Sequence, residues 1–135
     1  MTYLVDANVL SEGTRPRPNP TVIDWLRRHE AGLAVDPIIL GEIEFGILLL
    51  PAGQRRRRLE QWFAEGMRRL RCLPWEVETG RCWARLLADL RAAGQAMPVK
   101  DSLIAATALR HGLTVVTRNT RDFHKAGVAV LDPFG

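Results

Sequence analysis

The 135-residue chain is 47% apolar and 25% charged, an ordinary balance for a globular protein able to bury its own core without staples. Nineteen Lys and Arg against 15 Asp and Glu leave a net charge of +4, a lean toward a polyanionic partner. The two cysteines, Cys72 and Cys82, form no C-x-x-C and share no metal-ligand spacing with His29, His111 or His124. They predict reduced core residues in a cytoplasmic protein and no disulfide framework. No secretory leader is expected ahead of the first strand. The most apolar stretch, PIILGEIEFGILLL (37–50), is too short for a membrane span and carries Glu42 and Glu44.

The chain opens with TYLV (2–5), a short apolar run that reads as a strand. RPRPNP is a loop, with Pro20 starting a helix whose Val22, Ile23 and Leu26 share a face. Residues 32–35 predict a second strand, and Asp36-Pro37 a capped helix running to Leu50. Beyond the Pro51-Ala52-Gly53 break, Leu59, Trp62, Phe63, Met67 and Leu70 keep one helical stripe. The preceding Arg55, Arg56, Arg57 and Arg58 either head that helix, against its dipole, or form a solvated loop before it. Residues 71–73 are a candidate third strand. Residues 76–93 predict a helix with Trp83, Leu86, Leu87 and Leu90 inward and Gly94 as its stop; Trp75, outside the pattern, is expected at the surface. A helix over 101–111 closed by Gly112, a strong strand over 113–117, a short helix from Thr120 and a last strand over 128–131 complete the series. Strands separated by helices imply crossovers and a mainly parallel sheet. In such α/β sheets ligands bind beyond the carboxyl ends of the strands.

Asp6 stands at one such end, and Thr117-Arg118-Asn119 at another. A carboxylate there either caps a turn or meets something charged. Glu42 lies in an otherwise apolar helix and needs a partner. Glu44 is about 200° further round and cannot share its face. Asp101 begins a helix and Asp122 follows the last strong strand. Taken singly, each of Asp6, Asp101 and Asp122 is better explained by a cap or an Asx turn. Together, four acids at matched places repel one another unless a cation intervenes, and hard divalent cations take oxygen ligands. In a basic protein that combination suits metal-assisted phosphodiester hydrolysis.

The segments VDANVLSE (5–12), ILGEIEFGI (39–47), VKDSLIAATALRHGLTVVTRN (99–119) and DF (122–123) resemble the PIN-domain ribonucleases, above all the VapC/FitB-type toxins of bacterial toxin–antitoxin pairs. The resemblance runs over the whole chain and implies one PIN-like domain, 1–135, of α/β class, with a mainly parallel sheet flanked by helices. It implies an endoribonuclease that is toxic until a cognate antitoxin binds, usually homodimeric and not membrane-bound. It places Asp6, Glu42, Asp101 and Asp122 on the family's Mg²⁺ or Mn²⁺ ligands and catalytic acids. Asn8 and Thr117 fall on supporting polar residues, with Asn119 close by. Two departures stand out: Ala7 replaces a common Thr or Ser beside Asp6, and Asp36 replaces a common Ser or Thr cap.

Arg55, Arg56, Arg57, Arg58 and Lys100 are the candidate nucleic-acid contacts, with Arg68, Arg69 and Arg71 able to extend a basic strip. Haloacid dehalogenase-type phosphatases also carry an Asp after a first strand, but they need a second acid where Asn8 stands. Phosphotransfer receivers want an acidic pair that Asp6 alone does not supply. A non-catalytic RNA- or antitoxin-binding module is the alternative, and the four retained acids argue against it.

Overall fold

The computed structural model describes residues 2–135. Five short strands form one sheet, all parallel, in the order β3-β2-β1-β4-β5. They are β1 (Tyr3–Val5), β2 (Leu33–Val35), β3 (Arg71–Cys72), β4 (Thr114–Val116) and β5 (Val130–Leu131). Between them run α1 (Ala7–Leu10), α2 (Pro20–Arg28), α3 (Pro37–Leu48), α4 (Gln54–Arg69), α5 (Val77–Ala92), α6 (Val99–His111) and α7 (Thr120–His124). Short 3₁₀ turns cover Ser11–Thr14 and Glu30–Gly32.

The strands are apolar throughout because both faces are covered. Leu4, Ala34 and Val115 lie side by side and face one core with α3, α5 and α6; Val5, Leu33 and Val116 face a second with Val22 and Trp25. Tyr3, Trp25 and His29 close the second core at its edge, the Trp25 and His29 rings stacked with centroids 4.3 Å apart. From β1 the chain moves to β2 on one side, and from β4 to β5 on the other. The crevice of the sheet therefore opens between the carboxyl ends of β1 and β4.

Local signals hold closely. Asp36 caps α3, accepting from Ile39 N at 2.9 Å, with Pro37 in the first turn. Gly112 ends α6 in the left-handed region at φ +65°. α3 stops at Leu48, two residues short of the expected Leu50, and the final strands are shorter than their apolar runs. The arginine run lies within α4, which starts at Gln54, so the loop alternative falls. Three burial expectations are corrected. Leu87 sits on the outer side of α5 and is exposed, because only Leu86 and Leu90 reach the core. Cys72 is exposed on a two-residue edge strand, and Cys82 is half-buried; neither is a core residue. Trp75 is half-buried, packed edge-on against Trp83 at 6.5 Å.

Candidate active site

Asp6 leaves β1 at the crevice and is 4% exposed. Its carboxylate both caps and faces inward: Oδ1 accepts from Ala7 N at 2.8 Å, and Oδ2 accepts from the Thr117 hydroxyl at 2.8 Å. Thr117 follows β4, paired beside β1, so parallel pairing alone brings these two residues together over 111 positions of sequence. Asn8 Nδ2 points at the same pair, 3.3 Å from Thr117 Oγ1 and 3.4 Å from Asp6 Oδ2. Its Oδ1 accepts from Arg118 N at 3.1 Å, tying α1 to the turn after β4.

Asp101 lies in the first turn of α6 and is 5% exposed. Asn119 Nδ2 bridges it to Asp122, donating at 3.0 Å to an oxygen of each. Lys125 also bonds Asp122, at 3.3 Å. Glu42, on α3, accepts from Lys100 Nζ at 2.6 Å through Oε1, while its Oε2 is buried without a partner.

The electrostatics follow the burial. Desolvation pushes the Asp101 carboxyl up to about 6, aided by Asp6, Asp122 and Glu42 and opposed by Lys100. Asp6 is raised for the same first reason; the Thr117 bond opposes it and Glu42 reinforces it. Asp122 is held below the usual carboxylate range, chiefly by the Asn119 bond and then by Lys125.

The residues named from sequence thus fall into two groups. Asp6, Asn8, Asp101, Thr117, Asn119 and Asp122 share one hydrogen-bonded network at the β1–β4 crevice. Glu42 joins it through charge, as its field reaches both Asp6 and Asp101. Of the run on α4, Arg55 borders a recess that Asn8 and Glu42 also line, Arg56, Arg57 and Arg58 do not, and Lys100 turns to Glu42. Three polar residues lie inside the segments that carry the resemblance but are not singled out from sequence. Thr107 donates to the fully buried Asp36 at 2.6 Å, Ser102 accepts from Trp83 Nε1 at 3.0 Å, and the buried Glu12 accepts from Asn19 N at 2.7 Å. Ser102 and Thr107, small polar residues inside a helix, look alike in sequence whether they face solvent or a neighbouring element.

Among the described residues, no three Asp, Glu, His or Cys side chains are grouped closely enough to hold a metal ion by themselves. Mg²⁺ asks for less: one or two carboxylates, with water and phosphate oxygens completing its shell. The unpartnered Glu42 Oε2, and the burial and neighbouring acids that raise Asp6 and Asp101, are what a divalent cation would relieve. The donor set, all hard oxygen, fits such an ion.

A parallel sheet with carboxylates gathered at its switch point defines an α/β protein whose ligand site lies beyond the carboxyl ends of its strands. The chain belongs to the PIN-domain family, whose model matches residues 3–129, and within it to the VapC ribonuclease toxins of toxin–antitoxin systems. It is 37% identical to the plasmid stability protein StbB of Pseudomonas syringae pv. tomato and 33% identical to toxin FitB of Neisseria gonorrhoeae, covering 97% of each chain in both cases. It is also 33% identical to VapC ribonuclease Y4jK of Sinorhizobium fredii, over 97% of this chain and 96% of that one. The crystal structure of FitAcB from Neisseria gonorrhoeae superposes with a TM-score of 0.93 at 32% identity, over 98% of this chain and 99% of that one.

Proposed function

We propose that residues 1–135 act as one nuclease domain, a Mg²⁺-dependent endoribonuclease that serves as the toxin of a toxin–antitoxin pair. The observation that carries this reading is the raised, buried Asp6–Asp101 pair at the sheet crevice beside the bare Glu42 Oε2. A bound Mg²⁺, for which Mn²⁺ would substitute, supplies the positive charge that polarises a phosphodiester and favours attack by water. Asp6 and Asp101 would be its main protein ligands. Glu42 would bind it or position water beside it, and Asp122 would complete the site. Thr117 and Asn8 hold Asp6 in one rotamer, and Asn119 sets the spacing of Asp101 and Asp122. The relatives named as ribonucleases and the neighbour solved as FitAB bound to a DNA fragment support an RNA substrate and a cognate antitoxin as partner. A homodimer in the cytoplasm fits the same picture. Among the described residues no helix is long and apolar enough to cross a membrane.

The test is incubation of a mixed tRNA, rRNA and mRNA pool with Mg²⁺, Mn²⁺ or EDTA, using wild type, Asp6→Asn and Asp101→Asn. Discrete cuts that need metal and both aspartates are expected. Cutting that survives EDTA or either substitution would sink the assignment.

A further inference from the structure

The arginine run of α4 is divided by the structure into unlike members. All four side chains sit in the first turns of the helix, where positive charge opposes the dipole and costs helix stability. Arg56 alone is used internally: Nη1 donates to the Leu50 carbonyl at 3.3 Å, and Nε lies 3.7 Å from Glu60. Among the described residues, no carboxylate pairs with Arg55, Arg57 or Arg58. Arg55, Arg57 and Arg58 are all exposed; Arg55 and Arg58 line the recesses described next, and Arg57 lines neither.

The first cavity, about 340 Å³, is bordered by Asn8 and Glu42 of the candidate active site and also by Arg55. Its apolar wall is Ile43, Ile47, Leu59 and Trp62, and Ser11 and Thr14 add hydroxyls. The second, about 350 Å³, shares Thr14, Arg55 and Leu59 with the first and adds Arg58. One continuous recess therefore leads from a candidate catalytic carboxylate, past an aromatic and apolar wall, to two unpaired cations.

We infer that this recess is the subsite for the nucleotide next to the scissile bond in single-stranded RNA, with its base against the Trp62 wall and the adjoining phosphates on Arg55 and Arg58. The inference rests on the nuclease reading above. A strand cut at the carboxylates must continue away from them carrying a base and a negative charge per nucleotide. The acids repel that charge, so cations are needed one step further along, where Arg55 and Arg58 stand. A base held in a duplex cannot turn into an apolar recess, whereas an unstacked one can lie on an aromatic wall and offer its edge to hydroxyls and amides.

The experiment is fluorescence anisotropy of labelled random-sequence single-stranded RNA against the full chain in EDTA, titrated over a range of salt. Wild type is compared with Arg55→Gln, Arg58→Gln and Arg57→Gln, which remove the same charge from neighbouring positions. Each lost phosphate contact lowers the salt slope by about 0.7 and the affinity about fivefold at 0.1 M salt. That loss is expected for Arg55→Gln and Arg58→Gln, with Arg57→Gln close to wild type and all three melting alike. Equal losses in all three would mean diffuse charge and overturn the subsite. Unchanged RNA binding in all three would also overturn it and leave the recess to a protein partner. Metal-dependent cutting by the wild type, assayed separately, distinguishes failure of the subsite from failure of the nuclease reading.

Discussion

Lys100 Nζ lies 2.6 Å from Glu42 Oε1, joining the first turn of α6 to α3 across the carboxylate cluster. Its charge also opposes the upward push on Asp6 and Asp101, so it serves the cluster as a tethered counter-ion. A tethered cation and a divalent ion compete for the same oxygens. Lys100→Met should therefore tighten Mn²⁺ binding, by up to about fivefold for a partly exposed pair of this kind. Mn²⁺ titration followed by electron paramagnetic resonance reads the effect directly. Weaker binding in the variant would show that Lys100 supports the metal site and does not compete with it.

Asp101 makes the metal-free protein sensitive to pH. Its folded pKa, about 6, lies above the ordinary 3.8, so the stability it contributes is complete below about 3.8 and is lost as pH rises through 6. Asp6, raised for the same reason, acts with the same sign. In EDTA, urea midpoints should fall between pH 4 and 7, and Asp101→Asn should flatten that fall. Added Mg²⁺ should restore the midpoint at pH 7 in wild type but not in the variant, and apparent Mg²⁺ affinity should weaken as pH drops below 6. A flat wild-type profile in EDTA would contradict this account.

Thr117 joins the β4 end to Asp6 and Asn119. Its hydroxyl donates to Asp6 at 2.8 Å and accepts from Asn119 N at 3.0 Å. Thr117→Val keeps the buried shape and removes these two bonds and the one from Asn8 Nδ2 at 3.3 Å. Loss of such an orienting partner costs about 10–100-fold in metal affinity or activity. Cleavage rates and Mn²⁺ binding should both fall, while the far-ultraviolet circular dichroism spectrum stays unchanged. Thr117→Ser should recover most of the loss.

Thr107 and Asp36, both fully buried, meet at 2.6 Å and lock α6 to the start of α3. Burial pushes the Asp36 carboxyl up, and the Thr107 bond is the first of the interactions pulling it back. Thr107→Val leaves that carboxylate oxygen without its donor and should cost about 1–3 kcal/mol in urea unfolding. The loss should shrink at acidic pH, where the carboxyl is protonated. Because α3 carries Glu42 and α6 carries Asp101, RNA cleavage should fall in the same variant.

What the amino-acid sequence determines by itself is local. Periodicity and caps act within a few residues, so α3 behind Asp36-Pro37, α6 before Gly112 and the apolar strands are legible, as are the acids at their ends. The errors arise where burial depends on what packs above an element: Leu87 faces outward, and Cys72 ends on a short edge strand. The pairings that make the site are decided only by the fold. Thr117 reaches Asp6 over 111 positions, Thr107 reaches Asp36 over 71, and Lys100 reaches Glu42 over 58. No helical or strand period extends that far. The order β2-β1-β4 sets which strand ends adjoin, and side-chain packing then selects which carboxylates meet a hydroxyl, an amide or an ammonium.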